Sequence, residues 1–323
     1  MLDTITYIQA SLYLGAGLAI GCGAIGAALG EGYAAGLANE SLSYRPENSG
    51  DVIKNMLVGQ AIAESAAIFA LVVAIVLLFS KPSTSTVLVS WASIGAGLSM
   101  GLSAIGSGVG AGLPAGTACV GIVRQPANSN KILTTMLIGS AVAQTPAIFG
   151  MVISFLLISL DFSDVPIYPG WAAMLGAGLA TGLAAIGSGV GNGITSMEAV
   201  TGVARNPETG TDTNRAMLLG LSIGQSTTIY GFLISLLLIF TGFEASTSLA
   251  SSMKLLGASF SAGFGGIGSG IGLGFAAAYA VKWVARNVEV KGSLMRTMLV
   301  GMAVCESPAI FALIISLMLF FKA

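Results

Sequence analysis

Four positions at a near-constant interval hold the side chains with most chemistry to offer. They are Glu64, Gln144, Gln225 and Glu306, separated by 80, 81 and 81 residues. Each lies in an apolar run: Ala63-Glu64-Ser65, Ala143-Gln144-Thr145, Gly224-Gln225-Ser226 and Cys305-Glu306-Ser307. A carboxylate among apolar side chains is costly unless it is paired, protonated or bound to a cation, so Glu64 and Glu306 are candidate ion carriers. The plainer alternative is a protonated glutamate that joins two helices. A hydroxyl follows the column in every copy: Ser65, Thr145, Ser226 and Ser307. Singly, such a hydroxyl bonds to its own helix; beside a glutamate it is a candidate second oxygen ligand.

A second column runs through Glu31, Ala111, Asn192 and Leu273. Glu31 and Glu64 give one segment two carboxyls at membrane depth, which cannot both ionise without a cation between them; otherwise one keeps a proton. Oxygen donors without sulfur or imidazole suit a hard cation such as Na⁺. Glu40 and Glu198 lie nearer one helix end and are expected to be solvated. Pro308 removes the helical bond to the carbonyl of Val304, and Pro146 the bond to Val142. Either freed carbonyl is a candidate ligand, or each proline is a packing kink. The run Gly106-Ser107-Gly108-Val109-Gly110-Ala111-Gly112 resembles a phosphate-cradling loop, but no strand precedes it and no Walker lysine follows. Close helix packing is the better reading.

The elements that must position these side chains repeat. Gly106-Ser107-Gly108-Val109-Gly110 recurs from Gly187 and from Gly268, with a looser copy around Gly26. Met56-Leu57-Val58-Gly59 recurs from Met136, Met217 and Met298. Each copy is a Gly-rich helix, a short polar loop and an Ile/Leu/Phe-rich helix. The copies are bounded as 1–81, 82–165, 166–246 and 247–323. Eight apolar segments result, at 8–43, 53–80, 87–123, 131–160, 169–204, 214–241, 249–285 and 293–321. All exceed the roughly 20 residues that span a bilayer core. Only 8% of the 323 residues are charged, against about 25% in a soluble domain. The fold class expected is an all-α membrane protein of eight transmembrane helices in four tandem antiparallel hairpins.

Ten of the 13 Lys and Arg residues cluster in the loops inside the hairpins or at the adjoining helix ends. Asp3, Asp161, Asp164 and Glu244 lie at the opposite ends. The positive-inside rule places the hairpin loops in the cytoplasm and both termini outside, in a bacterial or archaeal cytoplasmic membrane. Met1-Leu2-Asp3-Thr4 lacks the basic region of a cleaved signal, so the first segment is expected to remain as a span. A net charge of −1 with no basic stripe argues against a nucleic-acid partner. Cys22, Cys119 and Cys305 are odd in number and form no CxxC pair, which disfavours a disulfide framework or a thiolate metal site, and the absence of His removes the commonest metal ligand and proton shuttle.

A Gly-rich helix, an Arg-[Gln/Asn]-Pro loop and a second helix with a mid-span carboxylate together resemble the proteolipid (c- or K-type) of rotary ATP synthases and ATPases. The loop signature stands as Arg124-Gln125-Pro126 and Arg205-Asn206-Pro207, and is reduced to Arg45-Pro46 and Arg286-Asn287 in the outer copies. Glu31-Gly32-Tyr33 with Gly59-Gln60-Ala61-Ile62-Ala63-Glu64-Ser65 is similar to the sodium-binding version of the family. The resemblance implies ligand roles for Glu31, Glu64 and Ser65, and for Glu306 and Ser307, with the carbonyls of Ile62 and Val304. Gln144, Thr145, Gln225, Ser226 and Asn192 are auxiliary candidates. It further implies a closed ring of copies in the lipid bilayer, turning against a stator protein that carries an arginine. The polar loops would meet the central-stalk subunits. The transported ion would be Na⁺, with H⁺ as the alternative, and no covalent cofactor is implied.

Gln144 and Gln225 cannot ionise, so half the hairpins carry no exchangeable charge. A ring of about 12 hairpins would then move about six ions per turn, or about two per ATP if a turn handles three. At roughly 2.3 kcal/mol per charge per 100 mV, two ions at about 200 mV supply roughly 9 kcal/mol. That favours ATP-driven pumping over synthesis. A secondary transporter or channel of repeated hairpins is the competing class. Four repeats in one orientation, without an unwound segment, argue against it.

Overall fold

The computed structural model describes residues 4–81, 86–245 and 248–322. Asp3 therefore lies outside the described residues, and the hairpin boundaries drawn at 81/82 and 246/247 touch residues outside them. Four long helices, α1 (Thr4–Tyr44), α3 (Leu88–Arg124), α6 (Ile167–Arg205) and α9 (Leu249–Arg286), stand side by side as an inner row. The outer spans are α2 (Ser49–Phe79), α4 (Ser129–Ala143) with α5 (Thr145–Ser159), α7 (Gly210–Gly224) with α8 (Ser226–Phe240), and α10 (Lys291–Phe321). These make eight spans long and apolar enough to cross a membrane, and no strand occurs among the described residues.

Glycine brings the inner row together. A Cβ on Gly108 would lie 2.5 Å from the backbone of Gly26 and Ala27, and one on Gly270 would lie 2.5 Å from Gly187. Helices this close must be lined by small residues, and the repeated Gly-Ser-Gly block is where they touch. The block is helical throughout, as expected of a packing motif rather than a phosphate loop. Contacts pair residues about one repeat apart, so the inner helices run parallel and in register.

Each outer span lies in the groove between its own inner helix and the next one. Thus α2 packs on α1 and α3, α4–α5 on α3 and α6, and α7–α8 on α6 and α9. A serine repeats across three of these contacts: Ser154 Oγ donates to Ala96 O at 2.7 Å, Ser235 Oγ to Ala177 O at 2.6 Å, and Ser316 Oγ to Ala258 O at 2.6 Å. In lipid each such bond contributes about 1 kcal/mol. The last outer helix, α10, has only α9 of the inner row beside it, and α1 has no inner helix before it. The molecule is an arc with two unlike open edges.

The hairpin loops share one conformation. Pro46–Asn48, Pro126–Asn128, Pro207–Thr209 and Val288–Val290 each form a single 3₁₀ turn. The last copy keeps the turn without its proline. The residue before the turn has φ near −140° in all four: Arg45, Gln125, Asn206 and Asn287. Arg45 thus takes the place of Gln125, not of Arg124.

Two of the outer spans are interrupted, at Gln144 and at Gln225. Pro308, expected to free the Val304 carbonyl or to act as a packing kink, lies inside α10, which runs on as one helix. Conversely, Thr227 stands where the second hairpin has Pro146, and that span breaks all the same. Both interruptions coincide with a glutamine, and only one of them with a proline.

Candidate ion-binding site

The Gln144 amide reaches back one hairpin. Its Nε2 donates to the carbonyl of Ile62 on α2 at 2.9 Å, and to Ser107 O on α3 at 3.4 Å. Gln225 repeats the move, its Nε2 donating to Val142 O on α4 at 3.1 Å. The carbonyl expected to be freed by Pro146 is therefore occupied by the next hairpin's glutamine. At both positions an N–H group stands opposite a carbonyl where a carboxylate would need a proton or a cation to bridge the gap. Gln144 and Gln225 each leave Oε1 buried without a partner.

These bonds alter the expected ligand grouping. Proximity along the helix groups Ile62 O with Glu64, two residues on. In the structure it accepts from Gln144 of the following hairpin and from Ser65 Oγ at 2.6 Å. The grouping steps by one hairpin, because the outer helices are neighbours at this depth and α2 and α4 each present the carbonyl two residues before their column residue to the next.

Glu306 follows the same step. Its Oε1 accepts a hydrogen bond from Tyr230 Oη on α8, one hairpin back, at 2.6 Å. Tyr230 is not among the residues that the polar columns single out. It belongs to a column five residues after the Glu/Gln column, Phe69, Phe149, Tyr230 and Phe311, and the single hydroxyl in that column is the available signal. Ser307 Oγ donates to Ala303 O at 3.1 Å, within its own helix. Asn192 is 1% exposed and packs beside Gly224, next to Gln225, with Nδ2 unpartnered. Leu273, its counterpart in the last hairpin, is buried in an apolar cluster with Met298 and Met302.

Glu64 is exposed on unbroken α2. Glu31 on α1 faces the same stretch of α2, beside Gln60, one helical turn before Glu64. Gln60 Nε2 donates to the backbone oxygen of Glu31 at 3.1 Å. Among the described residues, none stands to Glu64 as Tyr230 stands to Glu306.

At the loop end, Arg45, Arg124, Arg205 and Arg286 are exposed. Arg286 lies over the Trp283 ring at 4.9 Å. Asn206 Nδ2 donates to Ala285 O at 3.4 Å, which ties its loop to the end of α9. Glu198, expected to be solvated, is ion-paired with Lys282 of the next inner helix at 3.4 Å.

Comparison with known proteins agrees with the repeat. The sequence model of one family, described as the C subunit of ATP synthase, matches residues 14–77, 94–157, 175–238 and 256–319. The K subunit of the A-type ATP synthase of Methanocaldococcus jannaschii is 34% identical over 234 residues, 70% of this chain and 94% of that protein. The c subunit of the ATP synthase of Natranaerobius thermophilus is 46% identical over 82 residues, 25% of this chain and 94% of that protein.

Proposed function

This chain belongs to the ATP synthase C-subunit family, and from that premise we propose that Glu64 and Glu306 are the ion carriers of a rotor ring built from its copies. The chain is a c-type proteolipid with four fused hairpins and eight membrane-spanning helices. Each glutamate holds Na⁺ while it faces lipid and releases it beside an arginine of a stator protein. An empty carboxylate is too costly in lipid to leave that shelter, so the ring turns only with its sites filled. The hairpin loops face the cytoplasm and meet the central stalk.

The observation that supports this most is the glutamine geometry. Where the column holds Gln, its own amide N–H supplies the positive pole opposite a carbonyl. Where it holds Glu, that pole must arrive from outside, as a cation or a proton. The oxygen donors beside Glu306, the Tyr230 hydroxyl that reaches it and the adjoining Ser307, favour Na⁺. Two carriers per four hairpins favour ATP-driven pumping.

Carbodiimide labelling of the purified holoenzyme tests the reading. Modification at Glu64 and Glu306, slowed by Na⁺ at constant pH, is the expected result. Labelling indifferent to Na⁺ and set by pH alone would make the ion H⁺. No labelling at either residue would refute the carrier role.

A further inference from the structure

We infer that the cleft between the loop ends of α1 and α3 binds the headgroup of an aminophospholipid, its phosphate held by Arg45 and Arg124 and its primary ammonium by Glu40.

Glu40, Tyr44, Arg45 and Arg124, with Val120 and Val123, line a cavity of about 300 Å³ where α1 and α3 end. Among the described residues, none of the three charged side chains is ion-paired. Two guanidiniums and one carboxylate around one open space suit a ligand that carries both signs. The last junction shows the opposite case. There Lys282 pairs with Glu198 at 3.4 Å, and the cavity among Glu198, Arg205, Lys282 and Arg286 shrinks to about 10 Å³. At the middle junction Val120 and Gln125 stand where α1 has Glu40 and Arg45. The full set of charges therefore occurs at the first junction alone among the described residues.

The place of the cleft selects the ligand. It lies at the ends of two helices long and apolar enough to cross a membrane, at the level of lipid headgroups. Arginine grips a phosphate with parallel N–H donors, and basic pockets between membrane helices take phospholipid headgroups in this way. A purely anionic headgroup would be repelled by Glu40, whereas one with an ammonium beyond its phosphate answers all three charges. A primary ammonium donates hydrogen bonds to the carboxylate, which a trimethylated one cannot do. From the cleft toward mid-membrane, Val120, Thr117 and Leu113 form a half-buried stripe on one face of α3, along which an acyl chain can lie. Tyr44, 73% exposed, is the amphipathic aromatic suited to that interface. A further copy packed against α1 would leave the cleft open. Glu40 corresponds to Val120 and Thr201, and both stay half-buried although an inner helix stands on each side of theirs.

The test is lipid retention by the full chain in its native assembly, placed in nanodiscs of equal parts phosphatidylethanolamine, phosphatidylcholine and phosphatidylglycerol and read by native mass spectrometry. Phosphatidylethanolamine should be retained in preference to the other two. Glu40→Gln removes the carboxylate and keeps both arginines. A hydrogen bond to a charged group is worth roughly tenfold or more, so the preference for phosphatidylethanolamine over phosphatidylglycerol should fall by that factor. Arg124→Gln should weaken retention of both lipids, and Arg205→Gln, one repeat on, should change neither. Added inorganic phosphate should leave the lipid in place. Equal retention of the three lipids, an unchanged preference in the Glu40→Gln chain, or displacement by inorganic phosphate would overturn the inference. So would a soluble subunit found covering Arg124 in place of lipid.

Discussion

Changing Gln144 to Glu should create a third carrier in each chain. The Gln144 amide makes a 2.9 Å bond to Ile62 O and a longer one to Ser107 O. A carboxylate there faces two acceptors and can donate to neither. The lost bond and the unmatched polar atoms cost about 1–3 kcal/mol, which a bound cation or a proton recovers by bridging the carboxylate to Ile62 O. The variant position is thus driven toward occupancy. In a ring of about 12 hairpins the ions per turn rise from about six to about nine, and the ions per ATP from about two to about three. At roughly 2.3 kcal/mol per charge per 100 mV, the energy coupled to one ATP at about 200 mV goes from roughly 9 to roughly 14 kcal/mol. The steepest gradient that hydrolysis sustains then falls to about two-thirds of its former value. Holoenzyme reconstituted in vesicles, with a potential-sensitive dye read at static head, measures that limit, and labelled-peptide analysis reports on position 144. An assembled Gln144→Glu ring with an unchanged limit and no label at that position would refute the reasoning.

Other perturbations separate packing from chemistry. Gly108→Ala places a methyl 2.5 Å from the backbone of α1 and should destabilise the chain by about 1–3 kcal/mol, visible as a lowered denaturation midpoint in detergent. Gly50→Ala, in open space at the start of α2, should stabilise by about 1 kcal/mol in the same assay. Lys291→Ala removes a 2.9 Å pair with Asp212 that is half in water; its loss should cost under about 1 kcal/mol and vanish at high salt.

Much of this is readable in the sequence because the repeat multiplies weak signals. One glycine block means little, but the same block at a fixed interval, in phase with a polar column, specifies hairpins in one orientation. What one sequence does not carry is the neighbour relation. Whether Ile62 O faces Glu64 or Gln144 depends on how adjacent helices are staggered, and no spacing within one helix encodes that. The broken span at Gln225 is hidden for the same reason. Thr227 carries no breaking signal, and the side chain that accompanies the interruption is bonded to another hairpin. Tyr230 escapes the polar columns because five residues separate it from Gln225, more than one helical turn, and its partner lies on a different helix.

The order of side chains along the parallel, in-register arc also sets a rhythm. Glu306 ends one copy and Glu64 begins the next, so in a closed ring the charged hairpins stand in adjacent couples with Gln144 and Gln225 between them. Under the proposed carrier role, successive loading events would be separated alternately by one hairpin and by three. Such a rotor advances with a short stride and a long one, and its drive shaft receives torque in pulses.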